Sequence, residues 1–318
     1  MRISIIDLGT NTFNLLVAEI TVDMQINILH RSKYPTKIGA GGINQNYITE
    51  EAKQRAHLAL IEMKQIITEY QSVKTFGFAT SAIRTAKNGE EFVTQIRRDF
   101  DIDVRIISGN REAELIYYGT REAVGLDEEI VAILDIGGGS NEIIIANSEK
   151  IFWKKSYPIG MTRLLEQFQP SDPIKIDELI DIETFLKEQL RDLIEAFQTY
   201  SVKTLIGSSG SFSTLRQVLL AEEKMEMETD KTHYHIKLED FNSLHQRFLN
   251  STLEERMQMQ GMDMARVHLM VIASIFINFL VKESGVSILF QSAYALKEGA
   301  LFDYIKRIKQ SEKSVSSD

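Results

Sequence analysis

The stretch Ala132-Ile133-Leu134-Asp135-Ile136-Gly137-Gly138-Gly139-Ser140-Asn141-Glu142-Ile143-Ile144-Ile145 decides the fold. An aliphatic run reaches an acid, three glycines turn the chain, and a second aliphatic run returns. That is the grammar of strand, tight turn and strand. Consecutive glycines let backbone N–H groups approach an anion without side-chain obstruction. Asp135 and Glu142 flank the turn, a placement from which two carboxylates can hold a divalent metal. An ordinary glycine-rich hairpin with a solvated acid fits the same letters. The pattern occurs twice, and that favours the functional reading.

The second occurrence is at the start of the chain. Ile3-Ser4-Ile5-Ile6 leads into Asp7-Leu8-Gly9-Thr10-Asn11-Thr12, and Phe13-Asn14-Leu15-Leu16-Val17-Ala18 returns. Asp7 falls on Asp135, Gly9 on Gly137 and Thr12 on Ser140, after which the aliphatic runs coincide without a gap. Such self-similarity predicts duplication of one α/β unit, with two phosphate-type turns on opposite walls of a cleft.

The rest of the chain alternates strands and helices. Further strands are expected at Gln25–His30, Thr75–Thr80, Val104–Ile107, Trp153–Ile159 and Val286–Phe290, and Thr204–Ser211 reads as a strand entering a small-residue turn. Apolar periodicity predicts helices over Thr49–Tyr70, Glu90–Phe100, Arg111–Val124, Asp177–Tyr200, Phe212–Leu220, Arg266–Lys282 and Ala295–Lys309. Tyr34–Ile43 reads as a glycine-rich loop carrying Lys37, Ala221–Lys231 as a Met-rich loop or insertion, and Gln310–Asp318 as a frayed tail. The pattern implies an α/β fold with layered sheets.

At 318 residues the chain is long enough for two domains with their own cores. Charged residues at 25% and hydrophobic ones at 43% are those of a globular protein. Met1-Arg2-Ile3-Ser4 runs straight into a strand-like segment, so no signal peptide is expected. The most apolar run, Leu269–Val281, reads as too short for a bilayer and carries Ser274 and Asn278. The absence of cysteine excludes disulfides, thiolate metal sites and a cysteine nucleophile, and is compatible with a cytoplasmic location. A net charge of −9 argues against binding a nucleic-acid polymer, though not against a small or linear polyanion in a local basic cleft.

Four ordered motifs carry a family resemblance. Asp7-Leu8-Gly9-Thr10-Asn11-Thr12, Ala79-Thr80-Ser81-Ala82-Ile83-Arg84, Ser108-Gly109-Asn110-Arg111-Glu112-Ala113 and Asp135-Ile136-Gly137-Gly138-Gly139-Ser140-Asn141-Glu142 together resemble the exopolyphosphatase / guanosine pentaphosphate phosphatase (Ppx/GppA) family. The resemblance covers about residues 1–305 and is to the short, two-domain form. It implies an α/β fold of two ribonuclease-H-like domains of the actin-like ATPase superfamily with an interdomain cleft. The domains expected are 1–124 and 125–299, with a closing helix at about 300–318 packing back on the first.

The resemblance also implies roles. Glu112 matches the family's catalytic glutamate and would orient the attacking water. A first-turn Glu is also what a helix dipole favours, by about 0.3–1 kcal/mol, and the surrounding motif tips the balance toward catalysis. Arg84 matches an arginine whose fork of N–H donors suits a terminal phosphate. Asp135 and Glu142 resemble metal-associated acids for Mg²⁺ or another divalent cation, with the symmetry-related Asp7 adding a contact. In the internal overlay Glu142 pairs with Asn14, which places the metal on the second wall. Asn11, Thr12, Gly138, Gly139, Ser140, Gly210 and Ser211 are the expected phosphate donors, and Lys37 is either an extension of that surface or a plain surface lysine.

Some positions depart from the family pattern. His268 stands where an acid usually follows Arg266, Lys297 where an arginine is common, and Ala40 where Glu is frequent. These affect outer substrate contacts. His233 and His235 would share one strand face, with no third metal ligand evident nearby. The expected activity is Mg²⁺-dependent release of terminal phosphate from inorganic polyphosphate or guanosine pentaphosphate, by a cytoplasmic homodimer. The alternatives are an actin-like-fold ATPase or sugar kinase, and a non-catalytic polyphosphate or alarmone binder.

Overall fold

A computed structural model describes residues 1–222 and 231–315, with side chains up to Ser311. The chain divides into two compact units, Met1–Gly119 with Ala295–Asp318, and Thr120–Tyr294.

The first unit is built on β1 (Arg2–Leu8), β2 (Phe13–Ile20), β3 (Ile26–Tyr34), β4 (Lys74–Ala79) and β5 (Asp103–Ile106), in the order β3-β2-β1-β4-β5. β1, β2 and β3 are antiparallel neighbours, whereas β4 and β5 run parallel to β1. The connections are α1 (Glu50–Glu69), α2 (Ser81–Thr85), α3 (Gly89–Phe100) and α4 (Gly109–Val124). Thr49 caps α1 by accepting from the Ala52 N–H at 3.2 Å. The stripe Ala52, Ala56, Leu60, Met63 and Ile67 joins Ile6, Leu8, Phe13, Leu15 and Val17 in one core.

The second unit repeats the plan. Its strands are β6 (Val131–Ile136), β7 (Asn141–Ala146), β8 (Ile151–Tyr157), β9 (Thr204–Ser208), β10 (His233–Ile236) and β11 (Ile288–Ser292). Their order, β10-β11-β9-β6-β7-β8, is the first sheet's order with β10 added antiparallel at one edge. Both units thus have the ribonuclease-H-like arrangement. The offset that lays Asp7 on Asp135 also lays the β2/β3 register shift at Val17/Ala18 on the β7/β8 shift at Ile145/Ala146. Even the irregularity is repeated.

The helices of this unit are α5 (Met161–Phe168), α6 (Ile176–Gln189), α7 (Arg191–Thr199), α8 (Ser209–Glu222), α9 (Leu238–Asn250), α10 (Leu253–Met257) and α11 (Met270–Ser284). The helix expected over Asp177–Tyr200 is broken at Leu190 (φ −109°, ψ 16°), yet Ile182, Leu186, Leu190, Leu193 and Phe197 are all buried. The apolar stripe runs through the break, so periodicity does not reveal it. Helices α5, α9 and α10 were not expected as elements, whereas β10 is the strand on which His233 and His235 were expected to share a face. The stretch Val267–Ser284 reaches 18 residues at mean hydropathy 1.5, long and apolar enough to cross a membrane by length and composition, contrary to the expectation from Leu269–Val281. It is 72% buried within the protein and packs into the second core.

The closing helix α12 (Leu296–Val315) packs on β1 and β2 of the first unit. It continues through Gln310 to Val315, where a frayed tail was expected; residues 316–318 lie outside the described residues. So does most of the Met-rich loop expected at Ala221–Lys231, apart from the end of α8 and Lys231. Helices α4 and α12 meet backbone to backbone: a Cβ on Gly299 would overlap the Leu115 carbonyl, and one on Gly119 the Ala295 carbonyl.

Two predictions follow from this packing. Gly299→Ala forces the helices apart and should cost about 1–3 kcal/mol in urea unfolding; an unchanged midpoint contradicts the close crossing. His245 is 2% exposed, and its Nδ1 lies 3.0 Å from Ser274 Oγ. Ser274 already donates to the Val271 carbonyl at 2.8 Å, so the ring nitrogen carries the hydrogen. Burial first, and then the Lys282 charge, push His245 from 6.5 down to about 4. Between these values the unfolded chain binds the extra proton, so stability rises with pH through the window and falls on acidification. The full loss is on the order of 3 kcal/mol. Unfolding free energies at pH 4–7 should show this slope, and His245→Gln should flatten it; an equal slope in both would contradict the burial of a neutral ring.

Candidate active site

In the first unit the C-terminal ends of three adjacent parallel strands gather the predicted residues. The turn after β1 closes with Gly9 N–H donating to the Thr12 carbonyl at 3.2 Å. Thr80, between β4 and α2, donates its N–H to Leu8 at 3.3 Å, and Ile107, after β5, donates to Ala79 at 3.1 Å. Ser108 then starts α4: its hydroxyl accepts from the Arg111 N–H at 3.2 Å, its carbonyl from the Glu112 N–H at 2.9 Å. Thr12 and Glu112 are buried, whereas Asp7 and Asn11 are half-buried.

Arg84 and Glu112 are brought together. Arg84 Nη1 donates to Glu112 Oε2 at 2.7 Å and to the Ile107 carbonyl at 3.1 Å. Their side chains are only 19% and 10% exposed, so the pair is held away from bulk water. The sequence assigns Arg84 to phosphate and Glu112 to water; the structure adds that the arginine fixes one oxygen of the carboxylate. Removing one member of such a pair leaves the other charge uncompensated, a loss of about 3–5 kcal/mol when burial is complete.

Across the first sheet Phe78, Asp7, Asn14 and Lys33 are register partners, and Asn14 Nδ2 donates to Asp7 Oδ2 at 2.9 Å. The corresponding row of the second unit is Ser208, Asp135, Glu142 and Ser156. Register partners point to one face, so the two carboxylates lie side by side. Ser208 Oγ donates to Asp135 Oδ2 at 2.7 Å, and the Ser140 and Ser156 hydroxyls both donate to Glu142 Oε1 at 2.6 Å. Two carboxylates among small hydroxyls fit a hard divalent cation, whose remaining positions are filled by water or substrate oxygens. Among the described residues, no group of three or more His, Asp or Glu side chains gathers around a common point, so protein ligands alone would not enclose an ion.

The second unit's turn closes as the first does, with Gly137 N–H donating to the Ser140 carbonyl at 3.1 Å. At the end of the neighbouring β9, Ser209 takes a left-handed conformation (φ 67°) and its hydroxyl donates to Ile136 at 3.1 Å, which sets the start of α8 beside the turn. Gly210 and Ser211 lie in the first turn of α8. Arg266, which sequence placed among the outer contacts, lies against Gly210: a Cβ there would overlap its guanidinium. It also pairs with Asp263 at 2.5 Å. Lys297 pairs with the buried Glu298 at 3.1 Å, and Lys37 is exposed in its loop. His233 and His235 are exposed on β10 and flank Phe290, with ring centroids 6.1 and 5.2 Å away.

Within each unit the turn and the neighbouring helix start lie at the C-terminal ends of the strands, where ligands bind in parallel α/β sheets. Known proteins resemble this chain over nearly its whole length. The model of the Ppx/GppA phosphatase family matches residues 16–308. An exopolyphosphatase from Cytophaga hutchinsonii is 36% identical, with a TM-score of 0.93 over 96% of this chain and 98% of its own. A PPX-GPPA enzyme from Aquifex aeolicus is 25% identical, with a TM-score of 0.77 over 95% and 98% of the two chains. A Ppx/GppA family member from Aquifex aeolicus, 24% identical, shares the fold with a TM-score of 0.78 over 98% of each chain. The chain therefore belongs to the Ppx/GppA phosphatase family and is a hydrolase.

Proposed function

We propose that this chain releases terminal orthophosphate from inorganic polyphosphate or guanosine pentaphosphate, as a cytoplasmic enzyme dependent on Mg²⁺ or a similar divalent cation. The observation that carries the reading is the partly buried Arg84–Glu112 pair at the strand ends that also bear the Gly9–Thr12 turn. A phosphoanhydride hydrolase needs neutralised phosphate oxygens, a positioned water and an acceptor to orient it. The backbone N–H groups of the turns and of the first turn of α8 serve as phosphate donors. Glu112 orients the water through its carboxylate, and Arg84 holds that carboxylate in place while its fork lies near the charge that develops on phosphorus.

Asp135 and Glu142 would hold the cation, and the cation would neutralise phosphate oxygens. The serine hydroxyls on either side fix the orientation of both acids. Asp7, tied to Asn14, contributes one acid where the second unit has two. An acidic chain can act on a polyanion because the attraction is local, set by these donors and not by the net charge of −9. The match to an exopolyphosphatase over nearly the whole chain supports a polyphosphate-type substrate.

Glu112→Gln keeps an oxygen to accept from Arg84 and removes the charge that orients water. Orthophosphate release should fall at least 100-fold with substrate affinity changed less than about threefold, a kcat loss of roughly 3 kcal/mol. Turnover within threefold of the parent would remove Glu112 from the mechanism. Arg84→Ala should lose activity and also about 1–3 kcal/mol of stability, read from urea midpoints; full stability would mean that the pair is not buried as described.

A further inference from the structure

We propose that Arg163 is a positioning residue for the second unit's phosphate turn: by holding the Gly139 carbonyl it aims and polarises the Ser140 N–H. The proposal rests on the reading above, in which that turn takes phosphate. In a trans peptide the carbonyl and the N–H point in opposite directions. The carbonyls of Gly137, Gly138 and Gly139 belong to the peptides that carry the N–H groups of Gly138, Gly139 and Ser140. All three carbonyls are tied to one segment at the start of α5. Met161 N–H donates to Gly137 at 2.9 Å, Thr162 N–H to Gly138 at 2.9 Å, and Arg163 N–H to Gly138 at 3.3 Å. Arg163 Nε donates to Gly139 at 3.0 Å. The N–H groups of the same peptides are thereby turned the other way.

The approach is close. A Cβ on Gly160 would overlap the Gly138–Gly139 peptide, so the segment docks on the turn only because residue 160 has none. The first unit contains the same device, which argues that it belongs to the turn's working and not to local packing. There the segment after β3 supplies Gly39 N–H to the Thr10 carbonyl at 3.1 Å and Lys37 N–H to the Asn11 carbonyl at 2.9 Å. In the internal overlay Thr10 corresponds to Gly138 and Asn11 to Gly139. Gly39 also lies against the turn, its Cβ position 2.7 Å from Thr10 Cγ2.

The two buttresses differ in the donor that reaches the last carbonyl of the turn. The Asn11 carbonyl receives a neutral backbone N–H, whereas its counterpart Gly139 receives a guanidinium. A donor that carries a full charge polarises a carbonyl more than a neutral N–H does, and polarising a carbonyl makes the N–H of the same peptide a better donor. Arg163 therefore acts through Ser140 without itself reaching the substrate. Since the turn would grip phosphate before and during reaction alike, its loss should appear in binding and in KM more than in kcat.

The test is calorimetric titration of inorganic phosphate and tripolyphosphate into the full chain with Mg²⁺, alongside hydrolysis kinetics. Arg163→Ala should weaken both ligands about tenfold and raise KM by a similar factor, with kcat within threefold and the ligand-free thermal midpoint unchanged. Arg163→Lys should recover at least half of the lost affinity on a logarithmic scale; if Arg163→Ala does not fold, Arg163→Gln takes its place. Parental affinity in the alanine variant, or a lysine variant no better than alanine, overturns the positioning role alone. If the parent chain binds neither ligand, the phosphate reading and this proposal fall together.

Discussion

A peptide cannot turn its carbonyl and its N–H to the same side, and both units of this protein are built around that constraint. An anion site made of backbone N–H groups needs carbonyls satisfied from behind, because an unpaired buried carbonyl costs about 1–3 kcal/mol. In each unit the segment that follows the third strand supplies the donors. Glycine at 39 and 160 permits the contact, and the hairpin before it, with its register shift at the equivalent place, delivers the segment. The sheet order then sets the start of a helix beside each turn. One backbone requirement thus links strand order, bulge, glycine placement and the candidate site.

The two copies have diverged in side chains on an unchanged backbone. The first row carries Asp7, Asn14 and Lys33; the second carries Asp135 and Glu142 between two serines. The first row's acid has an amide donor and a cation in line with it. The second concentrates two carboxylates with hydroxyl donors, a set suited to a divalent cation. The first unit has in addition the partly buried Arg84–Glu112 pair. Fold duplication therefore gives two similar backbone turns with different side chains beside them.

The amino-acid sequence revealed the repeat, because the acid, the glycine and the aliphatic runs keep their spacing in both copies. Glu112 and Arg84 were legible as motif members, but not as an ion pair, since 28 residues separate them. Helix α5 was missed: eight residues between Gly160 and the left-handed Gln169 are too few for periodicity to declare a helix. With α5 went Arg163, whose partner Gly139 lies 24 residues earlier. The break at Leu190 left no trace because both halves keep the same buried stripe. The close approach of Arg266 to Gly210 is likewise a tertiary fact, with no signature in local spacing.

The most direct test of the account is a single panel of orthophosphate-release assays on the purified chain. Long-chain polyphosphate, guanosine pentaphosphate, ATP and pyrophosphate would each be offered with and without Mg²⁺. The account predicts Mg²⁺-dependent release from polyphosphate or guanosine pentaphosphate, at least tenfold faster than from ATP. Release from ATP alone, stimulated by a sugar or peptide, or tight nucleotide binding without release under any divalent cation, would contradict it.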